Sequence, residues 1–353
     1  LPTEVLVVDE ASMVDVALMA KLLEALSPQA RLILLGDKHQ LSSVEAGSVL
    51  GDVCGDVPGP SKAFRSKLEA VTGAPLSAEP RAAPPVRDAV VLLRRSYRFG
   101  SDSGIGRLAN AVNTGDGASV VKMLKQGEYE DVTWKALRGT TKLPRQVIDV
   151  ALNGYQSYLK CVQENAPPKT VIKQFNGFRA LCALRQGPFG VGEINVQIEQ
   201  GLRARHVVAT NKTWYPGRPI MVTRNDYTLQ LYNGDLGIAL PDPDQPQRIV
   251  VFFEGAGGTL RGFSPARLPP LETAFVMTVH KSQGSEFDNV LIILPPDDFR
   301  LLTRELLYTG ITRARRCVEI WGDCAVIQKA VERKVERSSG LYDKLWHEEP
   351  FIT

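Results

Sequence analysis

Two short apolar runs, each ending in charge, open the chain. Val5-Leu6-Val7-Val8 runs into Asp9-Glu10, and Arg31-Leu32-Ile33-Leu34-Leu35-Gly36 runs into Asp37-Lys38-His39-Gln40. Continuous apolar runs of this length, bounded by polar residues, read as buried strands of a parallel sheet. Between them apolar positions recur at helical spacing (Val14, Leu18, Met19, Leu22, Leu23, Leu26) until Pro28 stops the pattern. Strand, helix, strand predicts a βαβ unit with both polar clusters on one edge of the sheet. Residues 44–53 then suggest a short helix or turn. From Gly55 to Val86 the prolines at 58, 60, 75, 80, 84 and 85 break every period, and the stretch reads as a mobile loop.

The pattern resumes with a strand over Val90–Leu93 and helices over Ile105–Val112 and Val120–Leu124, with the turn Gly115-Asp116-Gly117 between them. Val147–Val162 predicts one longer helix, with Ile148, Ala151, Tyr155, Tyr158, Leu159 and Val162 along one side. Phe178–Leu184 reads as a strand and Val191–Leu202 as a helix. From Tyr215 to Leu271 the period shortens. Pro219–Arg224, Gly237–Leu240, Arg248–Phe253 and Thr259–Phe263 alternate with turn chemistry at Asn233-Gly234-Asp235 and Gly255-Ala256-Gly257-Gly258. This predicts a small antiparallel barrel or sheet inserted in a larger α/β domain. Strands over Ala274–Met277, Asn289–Leu294 and Cys317–Trp321, and helices over Arg304–Thr312 and Ala325–Val335, complete that domain. Residues 338–353 read as a loosely held tail.

Composition narrows the class only slightly. The 353 residues suggest two or three domains, and 44% hydrophobic with 23% charged is ordinary for a globular protein. A net charge of +3 is too small to imply nucleic acid, so any basic groove must be local. The five cysteines show no Cys-x-x-Cys pair, which fits reduced thiols in a cytoplasmic protein. No apolar run approaches the ~20 residues of a membrane span, and no signal peptide is expected. Because Leu1 opens almost directly on a core strand, the expectation is a fragment.

The charged strand ends carry the candidate chemistry. An Asp at the carboxyl end of a parallel strand can hold Mg²⁺, and a neighbouring Glu can orient and deprotonate a water. Asp9 and Glu10 fit those roles, although a strand end followed by a helix cap reads the same way locally. Gln40 is long and neutral, suited to a terminal phosphate or its attacking water, or to a capped loop. Arg98 could aim its fork at phosphate or simply lie on the surface. Trp214, Tyr215 and Tyr227 could stack on bases, but packing is the preferred reading.

Taken in order, VVDEAS, GDKHQL, SYRF, TVHKSQGSEF and LLYTGITRAR resemble motifs II to VI of the superfamily 1 DNA helicases. Residues 40–52 and Cys182–Gly190 resemble specifically the RecD family, the α chains of exodeoxyribonuclease V. The resemblance implies an α/β fold: tandem RecA-like P-loop NTPase domains, the first incomplete, with a small SH3-like β-barrel insertion. It implies a first-domain remnant over 1–55, the mobile loop over 56–88, a second RecA-like domain over 89–214 and 272–337, the β insertion over 215–271 and a tail over 338–353. ATP and Mg²⁺ are the implied cofactors. Asp9 would hold the metal, Glu10 would activate water, Gln40 would sense the γ-phosphate, and Arg98 and Arg313 would act as arginine fingers. Gly284 would let backbone approach the nucleotide, Glu286 would bond the ribose, and Thr278, His280 and Lys281 would meet DNA. Arg315 and Arg316 would form a basic edge. Implied partners are single- or double-stranded DNA and the RecB and RecC subunits, with 5′→3′ translocation and no membrane. A stand-alone RecD-like helicase and a non-catalytic docking module are the alternatives. The sequence departs from the family in one respect: no Gly-x-x-x-x-Gly-Lys-Ser/Thr loop occurs in it. The expectation is therefore that this chain alone does not hydrolyse ATP usefully.

Overall fold

The computed structural model describes residues 1–43, 47–55, 59–75, 85–93, 98–100, 102–208, 212–335 and 340–346. They form two compact units, Leu1–Tyr97 with Val335–Thr353, and Arg98–Lys334. The expectations for residues 44–46, for most of the proline-rich stretch, for Arg94–Tyr97 and for the last residues of the tail lie outside the described residues.

In the first unit β1 (Val5–Val8) and β2 (Arg31–Leu34) pair in parallel, with Val7 opposite Ile33. The helix between them starts at Val16, because the Asp15 carboxylate caps it by accepting the Leu18 N–H at 2.7 Å. These strands are not buried as expected. Val5 is 49% exposed and Val7 53%, as the pairing is two-stranded and, among the described residues, one face carries no layer. A helix spans Lys62–Thr72 within the supposed mobile loop. Pro60 and Pro75 lie outside it, Ser61 caps its start and Gly73 its end, so the prolines bound a helix rather than dissolve one. Val90–Leu93 is not a strand; Val91 is 77% exposed and pairs with no strand among the described residues. The tail is partly ordered: helix Leu341–Trp346 packs on helix Val49–Cys54, and Trp346 Nε1 donates to the Asp52 carbonyl at 2.7 Å.

The second unit contains β3 (Val132–Lys135), β4 (Phe178–Cys182), β5 (Arg218–Val222), β6 (Leu236–Pro241), β7 (Ile249–Glu254), β8 (Leu260–Phe263), β9 (Leu271–Thr273), β10 (Val276–Thr278), β11 (Phe287–Ile293) and β12 (Ala314–Trp321). Five of them form an all-parallel sheet in the order β10-β4-β11-β12-β3. Helices, among them Gly104–Thr114, Arg145–Gly154, Val191–Ala204 and Cys324–Glu332, bury one face each against the core. This is the α/β architecture with a parallel sheet that the sequence predicts. The remaining five form an antiparallel sheet in the order β8-β7-β6-β5-β9. It extends to Thr273, two residues beyond the expected insertion, because β9 pairs with β5.

The single helix expected over Val147–Val162 is two, Arg145–Gly154 and Gln156–Gln163. The break falls at Tyr155, whose hydroxyl donates to the Phe275 carbonyl. Tyr155 and Tyr158 are buried in the core, as expected. Arg179 is fully buried between the rings of Phe175 (3.9 Å) and Phe287 (4.8 Å), and donates to the Ala274 carbonyl at 3.2 Å. Burial pulls its pKa below the usual arginine range.

Candidate functional site

In the first unit the candidate groups gather at the carboxyl ends of β1 and β2. Glu10 adopts a left-handed backbone at φ 51°, a conformation unusual for a residue with a side chain. Its N–H donates to Asp9 Oδ1 at 2.8 Å, which orders the exposed carboxylate. The next residue ties the turn to the neighbouring strand end: Ala11 N–H donates to the Leu35 carbonyl at 2.8 Å. Gly36 permits that approach, since a Cβ there would lie 3.1 Å from Ala11 N and 2.7 Å from Leu50 Cδ2. Asp37 then shapes the second loop, accepting His39 N–H at 2.9 Å and Gln40 Nε2 at 3.4 Å. Gln40 Oε1 is buried without a hydrogen-bond partner among the described residues. A buried carbonyl left unsatisfied is costly and calls for a donor from outside.

In the second unit the candidates divide between opposite edges of the parallel sheet. At the amino ends of β11 and β12, Phe287 N–H donates to the Arg313 carbonyl at 2.9 Å. Glu286, just before β11, is held by two guanidinium groups. Arg98 forms an ion pair with Oε1, and Arg315 Nε donates to Oε2 at 2.9 Å. Arg98 also donates to the Thr312 carbonyl at 2.9 Å. Arg313 is 2% exposed, and its guanidinium donates to the carbonyls of Thr309 and Ser285, each at 3.1 Å. Gly284 sits at φ +74°, with open space where a Cβ would point.

At the carboxyl end of β10, Thr278 Oγ1 accepts the Lys281 N–H at 3.3 Å and starts a 3-10 turn over His280–Ser282. Lys281 Nζ donates to Asn233 Oδ1 at 2.5 Å, joining this turn to the antiparallel sheet. Burial lowers the Lys281 pKa, Arg185 adds to the effect and Glu272 opposes it. Because β10 and β11 are parallel, the segment Val279–Glu286 must cross from one edge of the sheet to the other. It therefore carries the Lys281 cluster at its start and the Glu286 cluster at its end.

Two contributors escape a reading of the sequence. Arg315 grips Glu286 rather than forming only a basic edge. Asn195 is 4% exposed and binds the Val276 carbonyl and N–H, each at 3.1 Å, and the Thr273 carbonyl at 2.9 Å. It locks β9 to β10 directly before Thr278. An asparagine on the apolar helix stripe of Ile194 and Ile198 was the available signal, since a buried amide needs designated partners. Among the described residues no three His, Cys, Asp or Glu side chains are grouped to hold a metal. Asp9 alone still suits Mg²⁺, which takes one or two carboxylates and completes its shell with water and phosphate oxygens. No described helix is long and apolar enough to cross a membrane.

Comparison with known proteins places these elements. Residues 1–62 match an AAA domain, and residues 273–319 match the UvrD-like helicase C-terminal domain. The RecBCD enzyme subunit RecD of Mycolicibacterium smegmatis is 39% identical over 98% of this chain and 54% of its own length. That of Mycobacterium tuberculosis is 40% identical over the same shares. The ATP-dependent RecD2 DNA helicase of Deinococcus radiodurans is 29% identical, over 98% of this chain and 40% of its own length. Among solved structures, Pif1 helicase from Bacteroides in complex with ADP-AlF3 and ssDNA aligns over 94% of this chain and 73% of its own, at 16% identity and a TM-score of 0.46. The chain spans about half the length of the RecD subunits it matches. Over nearly its whole length the chain is similar to RecD subunits, and its two ends match an AAA domain and a UvrD-like helicase C-terminal domain.

Proposed function

We propose that the protein containing this chain is an ATP-driven DNA helicase motor of the RecD kind, with tandem RecA-like domains and an SH3-like β insertion. It works in the cytoplasm with RecB and RecC and moves 5′→3′ on single-stranded DNA. The observation that carries this reading is the strand-end geometry of the first unit. A left-handed Glu10 beside Asp9 and an unsatisfied Gln40 oxygen share the carboxyl edge of two parallel strands. Ligands of open α/β sheets bind at that edge, and backbone strain concentrates at functional sites.

In this mechanism Asp9 would hold Mg²⁺, and the ion would supply charge neutralisation at the nucleotide phosphates. Glu10 accepts the proton of the attacking water, and Gln40 orients that water or the γ-phosphate. Arg98 and Arg313 stabilise the charge on the transferred phosphoryl group, Gly284 admits backbone to the nucleotide, and Glu286 bonds the ribose. Arg98 first has to exchange its Glu286 partner for phosphate, and Arg313 its two carbonyls. Thr278, His280 and Lys281 contact the strand, so Val279–Glu286 links strand contact to nucleotide contact.

The test is single-strand-stimulated ATP hydrolysis by the full-length protein. Glu10→Gln is expected to lower turnover by about a hundredfold or more while nucleotide still binds, the range for a lost general base. Full activity in that variant would refute the assignment. The 353-residue chain by itself, lacking a phosphate-loop sequence, is expected to show negligible hydrolysis. A second reading is a RecD-like helicase acting alone; one relative is named an ATP-dependent RecD2 DNA helicase. Co-purification with RecB and RecC subunits from the same cells separates the two.

A further inference from the structure

The loop Asn225–Asp235 was expected to pack its aromatic residue; it does the reverse. Tyr227 is 75% exposed and Tyr232 46% exposed, and their rings meet edge to face at 6.2 Å. Exposed aromatic side chains usually sit on adaptable loops, but this loop is pinned. Asp226 and Leu231 exchange backbone hydrogen bonds of 2.7 and 3.0 Å. Arg261, reaching over from β8, donates to the carbonyls of Gln230 (3.1 Å) and Leu229. Asn225 Oδ1 accepts the Asn233 N–H at 2.8 Å, and its Nδ2 donates to the Tyr227 hydroxyl at 3.4 Å. Asp235 accepts the Tyr232 N–H at 2.7 Å. The two rings are thus held in place at the surface with their apolar area facing water.

We propose that Tyr227 and Tyr232 form a stacking platform for the bases of single-stranded DNA. The inference rests on the DNA-contacting role proposed for Thr278–Lys281. Two observations favour a nucleic acid strand over a protein partner. The surrounding side chains are polar (Asn225, Thr228, Gln230, Asn233), and two rings offer far less area than the ~1,000 Å² a specific protein interface needs. The platform also adjoins the proposed strand contacts, because Asn233, next to Tyr232, accepts the Lys281 ammonium. A strand whose phosphates meet Lys281 has its bases within reach of rings anchored on the same loop. Every base offers a π-face, so such a platform grips single strands without reading sequence.

The experiment is fluorescence anisotropy of the full-length protein with an oligothymidine and with an abasic oligonucleotide of equal length. Tyr227→Ala and Tyr232→Ala are each expected to weaken oligothymidine binding roughly 5- to 150-fold, the range of one lost base–aromatic stack. Tyr232→Phe, which keeps the ring and breaks none of the bonds that pin the loop, should keep wild-type affinity, and the abasic strand should bind wild type and variants alike. Equal oligothymidine affinity in the Ala variants would overturn the platform while leaving the DNA reading intact. So would an equal loss on the abasic strand, or loss of a protein partner with DNA affinity unchanged. A wild-type protein that binds neither oligonucleotide would sink the DNA reading and this inference with it.

Discussion

Single residues show where chemistry and folding pull apart. Asp9, Glu10 and Gln40 were legible because each follows an apolar run, and a run that ends in charge marks a strand edge. The grip of Arg98 and Arg315 on Glu286 was not, because it joins residues far apart in sequence. Lys281 was named as a DNA contact from its motif, but its environment could not be read from neighbours in the chain. Burial and the nearby Arg185 push its ammonium below the usual lysine range, while Glu272 resists. The charged form meets phosphate. That charge is complete well below the depressed pKa and is lost as pH rises through it. Strand affinity should therefore decline on the alkaline side earlier than the ordinary lysine value of ~10.4 would allow. Lys281→Arg keeps its charge across that range and should flatten the decline. Anisotropy titrations at fixed ionic strength would decide it, and superimposable pH profiles for the two proteins would reject the role.

Elements were legible where local pattern and tertiary environment agree. β4, β6, β7, β11 and the helices Gly104–Thr114 and Val191–Ala204 fall within a few residues of their predicted spans. Three failures have distinct causes. β3 is a short edge strand of four residues, too brief for its period to stand out. The helix break falls at Tyr155, where the backbone leaves helical geometry (φ −88°, ψ 3°) directly after Gly154, within an apolar stripe that runs on through both helices. The Lys62–Thr72 helix was masked by prolines that flank it. A fourth element makes a prediction. The start of helix Gly104–Thr114 is capped twice: the Ser103 hydroxyl oxygen accepts the Gly106 N–H at 3.3 Å, and the Asp131 carboxylate accepts the N–H groups of Gly104 (3.0 Å) and Ile105 (3.1 Å) and the Ser103 hydroxyl (2.9 Å). That helix buries Ile105, Leu108 and Val112 and follows directly on the Arg98 segment. Asp131→Ala should cost about 2 kcal/mol, the scale of lost hydrogen bonds to a charged group with donors left unpaired. Urea unfolding would report it as a lower midpoint at unchanged slope. An unchanged midpoint would show that water replaces the cap.

At the scale of the whole molecule, the return of strand–helix texture after the β insertion made two α/β units legible. What the texture could not disclose is how thin the first unit's sheet is. Parallel pairing sets Val7 opposite Ile33, and strand alternation places Val5 and Leu35 on the same face. All four are exposed, as are Leu18 and Leu23 on the helix between the strands. Two strands seldom hold together unaided, and a parallel sheet normally has both faces covered. Apolar surface left in water at this density drives association. The 353-residue chain on its own is therefore expected to self-associate. Its sedimentation coefficient should rise with concentration across the micromolar range. Replacing Val7 and Ile33 together by Thr keeps β-branched side chains in the strands while placing hydroxyls on the exposed face. That variant should sediment as a monomer over the same range without losing strand content by circular dichroism. If the unaltered chain stays monomeric at the highest concentration, the face is quiet as it stands, and the expectation fails.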